Sequence, residues 1–476
     1  MSSFSSLGIG SSAIHAAQRG LDVTGQNISN SATPGYTRQR VDLESVGGPG
    51  VPAFWSRYLG TGEGVKVTGV SRMTDEFLVA RARSASAALG DVEEQARTFE
   101  AIERTVNEPS SSGLQAQLAD FWNAWGKITN NPSADAPRNT TFERAVSVAS
   151  QLNHVSNALH TQWQDTHAEV VGNVTNVNSM AQDIASLNRA IRNNTVAGVP
   201  SNELLDQRDR LVSEISRLTG AFSRPMADAL GNTDNALGAV DVVIGGVKLV
   251  EGVNANVLSL TPAVVTPGVI QPVSLSLTDS SAATVTLTGG SGAGNLKGQL
   301  TALNVTLPGY LADFDSIAQQ LVTTVNTQQG AGYTVAGIGG APLFTDGLGG
   351  TTVNAGNIAV AGNPADLAVS QGQPPAVLDG NNAMAMARHL SDTGGADAGY
   401  SSLIVRLGVQ AQSVNRNVEV QSTVVKGAAD ARDNVSGVSL NEEMTNLIQF
   451  QHSFSAAARF ITAIDSTIET LLNMAR

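Results

Sequence analysis

The side chains that could do chemistry are few, and their spacing does not suit it. His154, His160 and His167 stand six and seven residues apart in one helical stretch. Two metal ligands on one helix face need a separation nearer four, as in H-E-x-x-H. These histidines therefore read as helix-surface or partner-contact groups. His15 and His452 lie near opposite ends of the chain and make no ligand pair by spacing. No G-x-S-x-G elbow presents a serine to a base. GGSGAG at 289–294 runs on into Asn-Leu-Lys-Gly, whereas a phosphate-binding loop closes with Gly-Lys-Ser/Thr. It reads as a hairpin or linker, as does GTGEG at 60–64. Glu442 and Glu443 follow Ser439 in a capping-box arrangement, where a helix dipole favours anions. Helix-start chemistry accounts for this acidic pair better than acid–base catalysis. Trp122, Trp125 and Trp163 fall at core positions of helices and do not form a ligand box. The expectation is a protein that is no enzyme, with no catalytic, cofactor or metal site.

Composition narrows the remaining classes. The chain has no cysteine, which excludes disulfides, thiolate metal sites and cysteine nucleophiles. Net charge is -13, only five residues are lysine, and the arginines are scattered among acids. A nucleic-acid binder would show a basic patch or stripe, so none is expected here. Hydrophobic residues make up 41% but aromatics only 4%, so the cores must be built of Ala, Val, Leu and Ile. Charged residues are 14%, well under the usual quarter, which suits close packing against identical neighbours. No run approaches the ~20 apolar residues of a membrane span. The first residues lack the basic and continuously apolar regions of a secretory signal. That fits a cytoplasmic chain, or one exported without a cleaved signal.

Periodicity places the elements. Near the start, Phe4, Leu7, Ser11, Ile14, Gln18, Leu21, Gly25 and Ile28 alternate at three and four, and Leu7, Ile14, Leu21 and Ile28 share one heptad position. Glycines at 8, 10, 20 and 25 each weaken this helix by up to ~1 kcal/mol against alanine. It ends before Pro34-Gly35, a turn. At the other end Leu440, Glu443, Leu447, Phe450, Phe454, Ala457, Ile461, Ile464, Ile468, Leu471 and Ala475 make a strong stripe about 35 residues long. Met444, Ile448, Ala458, Leu472 and Met474 lie off it and would be exposed in a lone helix pair. Between the ends, helices are expected from about 73 to 106, 114 to 128, 138 to 195 and 201 to 219, then 296–329, and again from about 381 and through 403–425. Residues 222–292 and 332–376, rich in Val, Thr and Gly, read as short strands.

The fold class is therefore mainly α with a β insertion. Residues 1–32 and 439–476 form a terminal-helix coiled coil. Residues 33–221, 293–331 and 377–438 form a long-helix bundle body, and 222–292 with 332–376 form a β-rich outer region.

NISNSATPGYTRQRVDL, from Asn27 to Leu43, resembles the N-terminal signature of bacterial flagellar axial proteins. Asn27, Asn30, Pro34, Gly35 and Tyr36 carry the likeness. Its PGYTRQ continuation, GTGEGVKVTGVSRMTDEFLVARAR, VNTQQGAGY, and above all SGVSLNEEMTNLIQFQHSFSAAARFITAIDSTIETLL at 436–472, are similar to the flagellar hook-associated protein 1 family. The resemblance implies an extracellular junction protein between hook and filament, exported without a cleaved signal. It implies a ring of copies joined through paired terminal helices, along Leu7, Ile14, Leu21 and Ile28 on one side and Leu440, Leu447, Phe450, Phe454, Ile461, Ile464, Ile468 and Leu471 on the other. It implies as partners the hook protein, the second junction protein, and an export chaperone held by Leu447, Phe454 and Ile461. Two alternatives stay open: another axial protein (hook protein, second junction protein or flagellin), and a secreted surface adhesin with a β-rich insertion.

Overall fold

The computed structural model describes residues 3–47, 62–226, 237–264, 266, 268–279, 283–287, 292–347 and 352–474. The side chain of Phe4, Ala475, residues 60–61 of GTGEG and 289–291 of GGSGAG lie outside the described residues.

The first helix, α1 (Ser3–Ser29), leads through the Pro34-Gly35 turn into a hairpin, β1 (Gln39–Val46) paired antiparallel with β2 (Gly64–Arg72). Gly35 has φ +81°, a conformation that suits glycine. Four helices follow: α2 (Glu76–Val106), α3 (Leu114–Asn130), α4 (Asp135–Ala197) and α5 (Asn202–Thr219). The Asp75 carboxylate caps α2 by accepting the Phe77 and Leu78 N–H groups. The 63-residue α4 is the spine, about 95 Å long at 1.5 Å per residue. Its buried row runs Val148, Leu152, Val155, Leu159, Trp163, Val170, Val174, Val177, Ala181, Ile184, Ile191, a helical period that keeps one face inward along its length.

Small antiparallel sheets come next. β3 (Phe222–Pro225), β4 (Val240–Ile244), β5 (Val247–Glu251) and β6 (Asn254–Ala255) form one; β7 (Val257–Thr261), β8 (Ser274–Thr278) and β9 (Thr284–Thr286) form another. A helix then runs through α6 (Asn295–Thr301), a π-helical turn at Ala302–Thr306, and α7 (Leu307–Gly330). In that π turn the Leu303 carbonyl accepts the indole N–H of Trp163 at 2.9 Å. Residues 332–376 carry less strand than expected, only β10 (Phe344–Asp346) and β11 (Ile358–Val360) among the described residues. The chain closes with α8 (Asn381–Arg388), α9 (Ala396–Ser436) and α10 (Leu440–Met474).

The sheets do not stand apart from the helices, as the expected outer region would. Val242, Leu258, Leu275, Phe344 and Val369 share one core cluster with Trp122, Trp163, Phe314 and Leu403. The reason is visible at their edges. Helix asparagines offer their amides to strand backbone: Asn178 donates to Leu258 O and accepts from Leu258 N–H, both at 2.8 Å. Asn188 bonds Val240 in the same way, Asn326 bonds Phe344, and Asn153 donates to Ile358 O. Each amide completes a strand edge that would otherwise dangle. The three tryptophans are buried, and so is His167, contrary to the surface role expected of it. Its ring stacks on Trp163, and its Nε2 lies 2.9 Å from Pro262 O.

Among the described residues, none of α1 or α10 belongs to the main core cluster. These two helices pack on each other, and α1 packs on the hairpin as well.

Candidate functional site: the terminal helix pair and its joint

The pair is antiparallel. Gly10 meets Ile461, Gly20 meets Phe450, and Asn27 meets Glu443, so α10 descends as α1 rises. The seam on α1 is Gly10, Ala17, Gly20, Thr24 and Asn27, all buried and spaced at three, four and seven. A Cβ built on Gly20 would lie 2.5 Å from the Phe450 ring, and one on Gly10 would lie 2.6 Å from Ile461 Cγ1. These two glycines are therefore holes for large knobs.

The seam expected on α1 is corrected accordingly. Leu7 is 37% exposed, and Ile14, Leu21 and Ile28 are only half-buried. At about 100° per residue they sit roughly 60–100° round the helix from the seam. Bulk on both helices would hold them apart; α10 supplies the bulk, so α1 turns its small residues inward. On α10 Ile464 and Ala457 are buried, and Leu447, Phe450, Phe454, Ile461 and Ile468 are half-buried. Leu440 and Leu471, expected in the stripe, are 52% and 60% exposed, because they lie at the helix's two ends. Met444, Ile448, Leu472 and Met474 are exposed, as is Phe460.

The signature segment builds the joint. Asn27 is buried, and its Oδ1 accepts the Gln39 N–H at 3.0 Å and the Tyr36 O–H at 2.8 Å. Its Nδ2 donates to Gln39 O at 2.9 Å and to Glu443 Oε2 at 3.1 Å. Asn30 folds back on Gln26 O, and Pro34 and Gly35 form an exposed turn. Arg38 then closes the chain's two ends together. Its Nε donates to Glu443 Oε1 at 2.8 Å and its Nη1 to Glu442 Oε2 at 2.6 Å, while its backbone N–H bonds Ser436 O. Glu443 is buried, so its part exceeds that of a helix-start anion. Sequence reasoning missed the Arg38–Glu443 contact. The available signal was a basic run, TRQR, after the N-terminal turn and an acidic doublet at the start of the C-terminal helix.

A second charged layer ties this joint to the body. Thr37 N–H bonds Asp206, and Arg72 bridges Asp206 and Asp209, both at 2.7 Å. Arg83 reaches Ser213, Ser223 and the Asp209 carbonyl. Burial alone would push the Asp209 carboxyl up, but Arg208, Arg72 and Arg83 outweigh it and hold it below the usual value. Burial wins at Asp206, whose carboxyl is raised although Thr37 and Arg72 pull the other way. The Tyr36 phenol is pushed up to about 12 by burial and then by Asp206, Glu203 and Glu443.

His15 and His452 are both exposed and make no ligand set. Among the described residues no group of His, Cys, Asp and Glu could hold a metal, and no helix is long and apolar enough to cross a membrane. The arrangement pairs its charged groups with one another. What it does is join the first and last helices to each other and to one body.

The sequence profile of the flagellar hook-associated protein FlgK helical domain matches residues 99–344. Flagellar hook-associated protein 1 of Bacillus subtilis is 30% identical over 99% of this chain and 98% of its own length. The chain belongs to the flagellar hook-associated protein 1 family. It is thus a structural component of the bacterial flagellum. Flagellar hook-associated protein 1 of Escherichia coli is 23% identical over 97% of this chain and 98% of its own length. The profile of the C-terminal segment of flagellar basal body rod FlgEFG proteins matches residues 431–474, the end of α9 and all of α10. The solved flagellar hook junction protein FlgK from Burkholderia pseudomallei superposes with a TM-score of 0.61 at 16% identity, over 74% of this chain and 100% of that one, which shows a shared fold.

Proposed function

We propose that this chain forms a ring between hook and filament, outside the cell, with α1 and α10 lining its inner part. The observation that carries this reading is an apolar surface on the terminal pair. Leu7, Met444, Ile448, Phe460, Leu471 and Leu472 stay exposed although α1 and α10 already cover each other. Surface of this kind marks an interaction site, and neighbouring copies in a tube would cover it. The hook protein on one side and the second junction protein on the other complete the stack. Export proceeds without a cleaved signal.

Before export, a chaperone takes the α10 stripe at Leu447, Phe454 and Ile461, the spacing by which a groove receives an amphipathic helix. In the folded chain these residues face α1 and are half-buried, so the chaperone must meet α10 before α1 pairs with it. Phe454→Asp weakens chaperone binding and assembly together and leaves the body's melting temperature unchanged. A variant that loses body stability yet still binds and assembles would sink this part. Immuno-electron microscopy tests the placement: label belongs at the hook–filament boundary, and label along the hook or the filament would overturn it.

A further inference from the structure

The body carries a second apolar surface, remote from the terminal pair. On α9, Val405, Val409, Val420 and Val424 are 67%, 60%, 59% and 44% exposed. At about 100° per residue they share one face roughly 100° wide. That face lies about 150° round from the packed row Leu403, Leu407, Ala411, Val414, Val418 and Val425. Arg416 stands in its middle and has no ion-pair partner among the described residues. The pattern along the face is apolar, cationic, apolar.

The complementary pattern occurs across α2, which packs against α9 on one side and α5 on the other. There α4 and α5 run antiparallel and leave an open groove. Two adjoining stretches of about 710 and 450 Å³ meet at Arg210. Met180 and Leu187 on α4, and Leu211 and Leu218 on α5, supply the apolar lining. Between them stand two carboxylates, Asp183 and Glu214, with the guanidinium groups of Arg210 and Arg217 beside Glu214, so that Asp183 is the acidic group left for a cation from outside. Arg210 already shares Glu214 at 3.6 Å, whereas Asp183 has no ion-pair partner among the described residues. From Asn176 to Leu187 the groove spans eleven residues of α4, about 16 Å, and Val409 to Val420 spans the same length of α9.

We propose that the valine face of α9 in one copy seats in the α4–α5 groove of the next copy, with Arg416 against Asp183. A chain cannot fill its own groove this way, because α2 stands between. Two unlike surfaces on one chain make a head-to-tail contact, which closes into a ring when the rotation from copy to copy divides a full turn. This inference rests on the ring reading above and names the surfaces the body contributes to it.

The absence of native cysteine allows a direct test in flagella isolated from cells whose own copy is replaced. Val420→Cys is combined with Ser179→Cys in one variant and with Ser186→Cys in another, to cover both helix directions. The control is Val420→Cys with Thr161→Cys, in a separate groove between α2 and α4. A short bismaleimide is expected to link copies in one of the first two and not in the control. Arg416→Glu should lower incorporation by about tenfold, with Asp183→Arg restoring it; both sites are exposed, so the single chain's Tm stays unchanged. Formaldehyde linking of copies without any cysteine-pair link would overturn the surface assignment and leave the ring. Failure of formaldehyde to link copies would overturn the ring and the assignment with it. A bismaleimide link from Val420→Cys to a different protein would also overturn the assignment.

Discussion

Gly20 of α1 and the ring of Phe450 of α10 are in direct contact, and a Cβ built on the glycine falls 2.5 Å from two ring carbons. No real side chain tolerates that distance, and a ring cannot swing aside as a flexible chain end can. Gly20→Ala sets two effects against each other. Helix propensity gains up to ~1 kcal/mol. Overpacking a tight contact costs about 1–3 kcal/mol. The second wins, so α1 should exchange its amide hydrogens faster in the variant. Phe450→Ala in the same chain should recover part of the loss. Gly8→Ala is the control: nothing lies within 4 Å of its Cβ, so it should only slow exchange. Equal behaviour of the two alanine variants would show that the seam is elsewhere.

The joint should fail separately from the body. Glu443→Gln keeps the shape of the side chain but leaves Arg38 without its buried anion. Breaking a fully buried pair costs about 3–5 kcal/mol. The Arg38 side chain is 20% exposed and keeps Glu442, so roughly 1–3 kcal/mol is the expected loss. Limited proteolysis at residues 437–439 should become faster while the main thermal transition stays in place. Arg38→Lys should behave similarly, since an ammonium cannot fork between two carboxylates.

The long helices were legible because their rows repeat for many turns: α4 was expected over 138–195 and spans Asp135–Ala197. The inner face of α1 was not. Sequence periodicity ranks Leu7, Ile14, Leu21 and Ile28 above glycine and alanine, yet which face turns inward depends on the size of the partner's side chains. The small row Gly10, Ala17, Gly20, Thr24, Asn27 was present in the sequence, but it acquires meaning only beside Phe450 and Ile461. The Arg38–Glu443 contact spans 405 residues of chain, a separation over which spacing carries no information. The docking of the sheets was hidden for a related reason. A helix asparagine reads as a surface residue until a strand edge is placed beside it.

Asn178 makes that docking testable. Its amide satisfies both backbone groups of Leu258. Asn178→Leu removes both partners at once, and each orphaned buried group costs about 1–3 kcal/mol. The body's Tm should fall by several degrees, and the Leu258 amide should lose its protection. Asn178→Asp keeps an acceptor for the N–H but sets a carboxylate against the Leu258 carbonyl, so it too should destabilise. An unchanged Tm in both would mean that the β7–β9 sheet is held by packing alone.

Alkaline pH should open the joint through Tyr36. Its phenol donates to Asn27 Oδ1 at 2.8 Å, and its pKa is pushed up to about 12 from an ordinary value of 10.0. Above pH ~10 the unfolded chain gives up this proton while the folded chain keeps it. By linkage, the stabilisation is fully present below about 10 and is lost as pH rises towards about 12. Tyr36→Phe should lose the hydrogen bond at neutral pH, worth about 0.5–1.5 kcal/mol. It should also lack the alkaline dependence that this proton confers on the parent. The direct measurement is the phenolate absorbance of the parent minus that of Tyr36→Phe. A difference titration centred near 10 would place the phenol in water. The joint around Asn27 would then be open in solution, and the coupling of the terminal helices to the body would have to come from Arg38 with Glu443 and from the Thr37 and Arg72 contacts to Asp206 and Asp209.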